Sequence, residues 1–164
     1  MQIKNLISLF YDSANSIDLN FGTGTIYHLH QAIKNDEVFT DPPFVYLFRP
    51  ILLESDISEQ YLPVISTYTL PFVYFHTVDP KDNINDYEEA QAAGEIVVRT
   101  FLNEIDKNDF ISIDGYNIEG GVKFFDGYIV TKFGISLSAP NDFDYCSLND
   151  DVTGFELGFE FPMV

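Results

Sequence analysis

The chain has 164 residues, 26 of them acidic and eight basic, for a formal charge of −18. Apolar residues make up 46% and aromatics 16%, which excludes a disordered chain and is enough for one domain with a real core. The acidic balance excludes free nucleic acid as a partner for the exposed surface, because phosphate contact needs clustered Lys and Arg.

Residues 2 to about 16 place Ile3, Leu6, Ile7, Phe10 and Tyr11 at helical spacing and read as an amphipathic helix. "NFGTGT" (20 to 25) is expected to break it. "TIYHLHQAIKND" fits a short helix capped by Thr25, with Ile26, Leu29, Ala32 and Ile33 on one face. It also fits a strand through Ile26, His28 and His30; the helix is the preferred reading. Pro42 and Pro43 end whatever precedes them.

"FVYLFRPILLE" (44 to 54) and residues 64 to 78 read as two long strands, joined by a polar link short enough for antiparallel pairing. Pro50 and Pro71 fall inside these runs, and a proline removes a ladder donor, so a bulge, bend or edge is expected at each. Either Pro50 marks an ordinary bulge, or the end of this hairpin projects to touch another molecule. "DPKDNINDYEEAQAAGEIVVRTFLNEIDKND" (79 to 109) carries the clearest helix, from about 86 to 106. Asn85 and Glu88 have capping-box spacing, and Ala90, Ala93, Val97, Phe101 and Ile105 mark one face, widened by Gly94, Val98 and Leu102. The small residues Ala90, Ala93 and Gly94 suit close packing on a sheet.

"DFISIDG" and "YNIEGGVKFFDG" read as short strands with glycine turns. Residues 127 to 140 form a strand whose Ile129, Thr131, Phe133, Ile135 and Leu137 share a face. "NDFDYCSLNDDVTG" is an acidic loop. In the tail, Phe155, Leu157, Phe159 and Phe161 lie on one side, with Glu156 and Glu160 on the other. The fold class expected is α+β: a mainly antiparallel sheet with a long hairpin, packed against the main helix and the N-terminal helix. Residues 1 to 146 make one domain, followed by the acidic loop and apolar-faced tail at 147 to 164.

Cys146 is the only cysteine, so no internal disulfide can form. "MQIKNLISLF" is too short and polar for a signal peptide, and no run reaches the ~18 to 20 apolar residues of a membrane span. The expectation is a cytoplasmic protein, or part of a particle assembled in cytoplasm.

Few residues suggest chemistry. His28, His30, His76 and Cys146 could in principle surround zinc, but two of the four are isolated and the spacing fails the usual template. Asp142, Asp144, Asp150 and Asp151 lack the ladder, glycine and closing glutamate of an EF-hand and read as a solvated loop. "GTG" at 22 to 24 is too short for a phosphate loop, and no nucleophile stands in a known catalytic setting. No enzyme, metal or cofactor is expected.

The order of elements resembles the small neck proteins of tailed bacteriophages, most of all tail terminators and tail-completion proteins. The elements that carry it are the N-terminal helix, the hairpin opened by "PPFVYLF", the helix "YEEAQAAGEIVVRTFLNEI" and the strand "GYIVTKFGISLSAP" before "DYC". The resemblance implies a virion protein that forms a ring, typically a hexamer, capping the tail tube and meeting the head connector, with DNA passing through the lumen. Such a ring needs heterologous interfaces. Arg49 and Pro50 in the hairpin, and Phe155, Leu157, Phe159 and Phe161 in the tail, are the expected subunit-interface residues. The tail could equally cover its own core. A competing reading, from charge alone, is an acidic inhibitor or immunity-type protein that binds a basic partner.

Overall fold

The helix expected at the N-terminus forms as α1, Gln2–Asn15, because Leu6, Ile7, Phe10 and Ala14 recur on one buried face. This computed structural model describes residues 2–37, 40, 42–55, 65–77, 84–123, 128–140, 143 and 145. Among them lie two further helices, α2 (Ile26–Lys34) and α3 (Ile84–Asp106). Six strands join in one sheet: β1 (Asn20–Gly24), β2 (Phe44–Phe48), β3 (Leu52–Ser55), β4 (Ile65–Thr77), β5 (Ser112–Lys123) and β6 (Tyr128–Pro140). The order is β1-β2-β4-β6-β5, with β3 also paired to β4, and only β1 and β2 run parallel. The fold is α+β, with helices on a mainly antiparallel sheet.

Residues 20 to 24, expected to be a break, form the edge strand β1 and pair with β2 in parallel, from Asn20 opposite Phe44 to Gly24 opposite Phe48. The glycine that suggested a break serves a close approach instead. A Cβ on Gly24 would lie 2.5 Å from the Tyr46 hydroxyl, which donates to the Thr25 carbonyl oxygen at 3.0 Å. The parallel pairing is possible because α2 crosses over between the two strands.

The long strand expected over 44 to 54 is divided. β2 pairs with residues 72 to 75 of β4, and β3 with 66 to 69. Phe48 to Ile51 therefore stand opposite only Leu70 and Pro71. Both prolines fall in this one gap, where the ladder between the strands is interrupted and a missing donor is tolerated.

Residues 112 to 123, expected as two short strands, make one strand of 12 residues. The glycines sit at irregularities in its pairing with β6, between Ile113 and Gly115 and between Glu119 and Val122. Asn85 lies within α3 and not at its cap. Ala93 is exposed, so close packing rests on Gly94. A Cβ there would come within 2.9 Å of both His76 Nε2 and Thr131 Oγ1.

The main core lies between one sheet face and α1 with α3. Its centre is aromatic: Phe72 stacks on Phe133 at 4.9 Å, while Phe10 and Phe101 meet Phe72 edge-on at 5.6 and 5.8 Å. A second, smaller core lies on the opposite face, where Leu29 of α2 covers Phe44, Tyr46, Val73 and Phe75. Helices thus cover both faces of the sheet at the β1–β2 end. Among the described residues, no helix is long and apolar enough to cross a membrane.

Candidate functional site

The alternation along β4 changes partway. Residues 65 to 71 alternate between the α1/α3 face, which takes Tyr68 and Leu70, and the opposite face, which takes Thr67, Thr69 and Pro71. From Phe72 to Phe75 the strand is apolar and buried on both sides. α2 covers the second side only in part. Beside it a cleft of about 400 Å³ opens to solvent.

The floor of the cleft is Pro71, Val73 and Gly134, with Phe48 and Phe75 on the α2 side. Ile26, the first residue of α2, forms its lip and is 53% exposed. Thr25 fixes that lip: its side chain accepts from the His28 N–H at 3.2 Å, and His28 Nδ1 accepts from the Thr25 N–H. The far wall comes from β5 and β6. Glu119 and Lys132 are direct cross-strand neighbours there, and Asn117 extends over Gly134, where a Cβ would meet its Oδ1 at 2.8 Å.

Beyond Pro71 the same face becomes a strip of hydroxyls. Thr67 and Ser138 are hydrogen bonded at 3.1 Å, and Ser138 donates to the Asp114 carboxylate. The arrangement offers an apolar trough with one cation and one carboxylate on its wall. A partner that places apolar side chains in it gains about 1.5 to 3 kcal/mol for each one fully buried. An edge of β5 with no described strand beside it runs along one side.

Arg49 and Pro50 lie at the division between β2 and β3, immediately after Phe48 of the cleft. The Arg49 N–H donates to the Gly24 carbonyl oxygen at 2.8 Å, which carries the β1–β2 ladder one step further, and Pro50 is exposed. Phe155, Leu157, Phe159 and Phe161 lie outside the described residues, as do Cys146, Asp142, Asp144, Asp150 and Asp151.

The histidines do not converge. His28 and His30 are two apart on a helix and so diverge, with His28 spent on the cap and His30 exposed. His76 is on the other face of the sheet, beneath α3, stacked on Tyr74 at 4.9 Å. Burial pushes its imidazole down to about 4 and the Tyr74 hydroxyl up to about 12. Burial likewise raises Tyr46, which the Arg49 charge partly offsets. Among the described residues, no three potential metal ligands gather.

Sequence reasoning did not find the cleft, because Ile26, Val73, Asn117 and Lys132 are far apart in the chain. One signal was available: the unbroken apolar run "FVYF" at 72 to 75 requires cover on both faces. The chain matches no protein-family profile and no curated protein.

Proposed function

We propose that the protein is a structural subunit of a tailed-bacteriophage neck, forming a ring that closes the tail tube and joins it to the head connector. The observation that supports this reading is the pair of unlike surfaces on one subunit. One is the apolar cleft beside α2, bordered by β5, and the other is the apolar-faced segment 155 to 161, which lies outside the described residues. A ring needs two different, mutually complementary patches on each subunit, since each copy must dock head to tail on the next. The subunit works by association and not by catalysis, and it resides in the virion after assembly in the host cytoplasm. Its acidic surface would repel the genome's phosphates and let DNA pass through the lumen without being held.

Mass photometry of the purified chain, alone and with tail tubes, tests the proposal. Closed oligomers, or particles bound at tube ends, are the expected result, and a strict monomer that ignores tubes would overturn it. Salt adds a second readout. Subunits carrying −18 repel, so ring formation should strengthen as salt screens them. That same charge favours a second reading, an acidic inhibitor of a basic protein. Such an inhibitor would stay monomeric or dimeric, and its binding would weaken with salt.

A further inference from the structure

α3 is held unevenly along its length. Its second half buries Val98, Phe101, Leu102 and Ile105 in the main core. In its first half none of residues 87 to 93 is buried, and the first buried position is Gly94. A helix is tied to its domain chiefly by the apolar side chains it buries, so the two halves are fastened very differently.

Beneath Gly94 the sheet does not make up the difference. His76 Nε2 on β4 and Thr131 Oγ1 on β6 both lie 2.9 Å from where a Cβ on the glycine would stand. Both atoms are buried, and neither has a hydrogen-bond partner among the described residues. The helix backbone above them cannot supply one, because in mid-helix its donors and acceptors are spent within the helix. Water would supply one if the helix lifted. Glycine is also the residue at which a helix interior is least stable.

We infer that residues 84 to 93 of α3 form a flap that lifts from the sheet at Gly94 while residues 98 to 106 stay seated, and that protonation of His76 holds it open. This device is independent of the ring proposal, and either can fail alone.

With the flap seated, burial pushes the imidazole down to about 4 from its ordinary 6.5. No charge among its neighbours contributes. The ring stacks on Tyr74 along β4, has Thr131 near it on β6 and Gly94 above it on α3. β2 ends one pair short of it, at Phe44 opposite Phe75, and Lys132 turns to the cleft on the other face. Glu88 and Glu89 on the flap are exposed, Tyr87 and Glu95 are half-buried, and none of them shifts the imidazole. Once the flap lifts, the ring meets water and regains its ordinary proton affinity. A proton therefore binds the open form in preference, and opening rises as pH falls below 6.5 until it levels off near 4.

Hydrogen exchange of the full chain in low urea, read by mass spectrometry and corrected for intrinsic amide rates, tests this. Amides 88 to 93 should exchange faster than those of 98 to 106 and depend less on urea, since a local opening exposes little surface. Between pH 7.5 and 5 their opening constant should rise about 30-fold, the ratio that values of about 4 closed and 6.5 open require. His76→Phe keeps a ring that cannot titrate and should abolish that rise.

One exchange rate and one urea dependence across 88 to 93 and 98 to 106 would overturn the inference, because α3 would then open as a unit. It is overturned equally if the rise is missing in the native chain or survives in His76→Phe. Should His76→Phe fail to fold by circular dichroism, His76→Asn makes the same comparison, since its amide does not titrate over this range.

Discussion

Phe101 and His76 show how differently a buried position can act. Phe101 has no exposed surface and fills the space between α3 and the stacked Phe72–Phe133 pair. Its replacement by Ala removes a whole ring and leaves a cavity that backbone elements on three sides cannot easily close. Phe101→Ala should cost about 3 to 5 kcal/mol in urea unfolding. An unchanged midpoint would mean that the core is centred elsewhere.

His76 is buried for a different reason. Gly94 brings the backbone of α3 so close that a Cβ there would lie 2.9 Å from the imidazole Nε2. His76 Nε2 and Thr131 Oγ1 are both buried there without a hydrogen-bond partner among the described residues. Burial holds the imidazole down to about 4 in the folded chain, against its ordinary value of 6.5 when unfolded. Below pH 6.5 the unfolded chain binds a proton that the folded one refuses. The contribution is thus complete above about 6.5 and is lost as pH falls towards 4, amounting to on the order of 3 kcal/mol. Urea titrations at pH 7, 6 and 5 should show a steeper loss in the native chain than in His76→Asn. Parallel curves would refute the assignment.

At the scale of elements, α2 is the piece on which the cleft depends. It has nine residues and buries only Leu29 and Ala32 fully, so its cap matters more than in α1 or α3. Thr25→Ala removes the side-chain acceptor for the His28 N–H and should lower stability by about 1 kcal/mol. Hydrogen exchange should speed up in residues 26 to 30 with little change in α3. Uniform loss across the chain would show that α2 does not open on its own. The two prolines belong to this scale as well. Pro50 and Pro71 occupy one shared gap in the β2/β3–β4 ladder, so the same irregularity accommodates both missing donors.

For the molecule as a whole, charge and association pull in opposite directions. A charge of −18 keeps copies apart, so the association proposed above would have to come from apolar contact strong enough to overcome it. On the proposed reading that contact includes the tail. Removing residues 153 to 164 should leave a folded monomer, by circular dichroism and mass photometry, that no longer forms rings. Outright unfolding of the truncated chain would place the tail in its own domain's core.

The local pattern of residues was sufficient for much of the fold. The 3.6-residue period marks α1 and the second half of α3, strict alternation marks β6, and Thr25 marks the start of α2, because each of these is decided by which side of one element is apolar. The prolines announced an interrupted ladder for the same local reason. Partner choice was beyond that pattern. β1 is a strand only because β2 lies parallel beside it, and β5 runs through its glycines only because β6 continues opposite. The cleft is further still from the sequence, since it exists where α2 stops short of covering Val73 and the β5–β6 wall rises across from Ile26. Periodicity states that a face must be buried. Only tertiary contacts among residues 26, 73, 117 and 132 decide what buries it, and how much of it remains open.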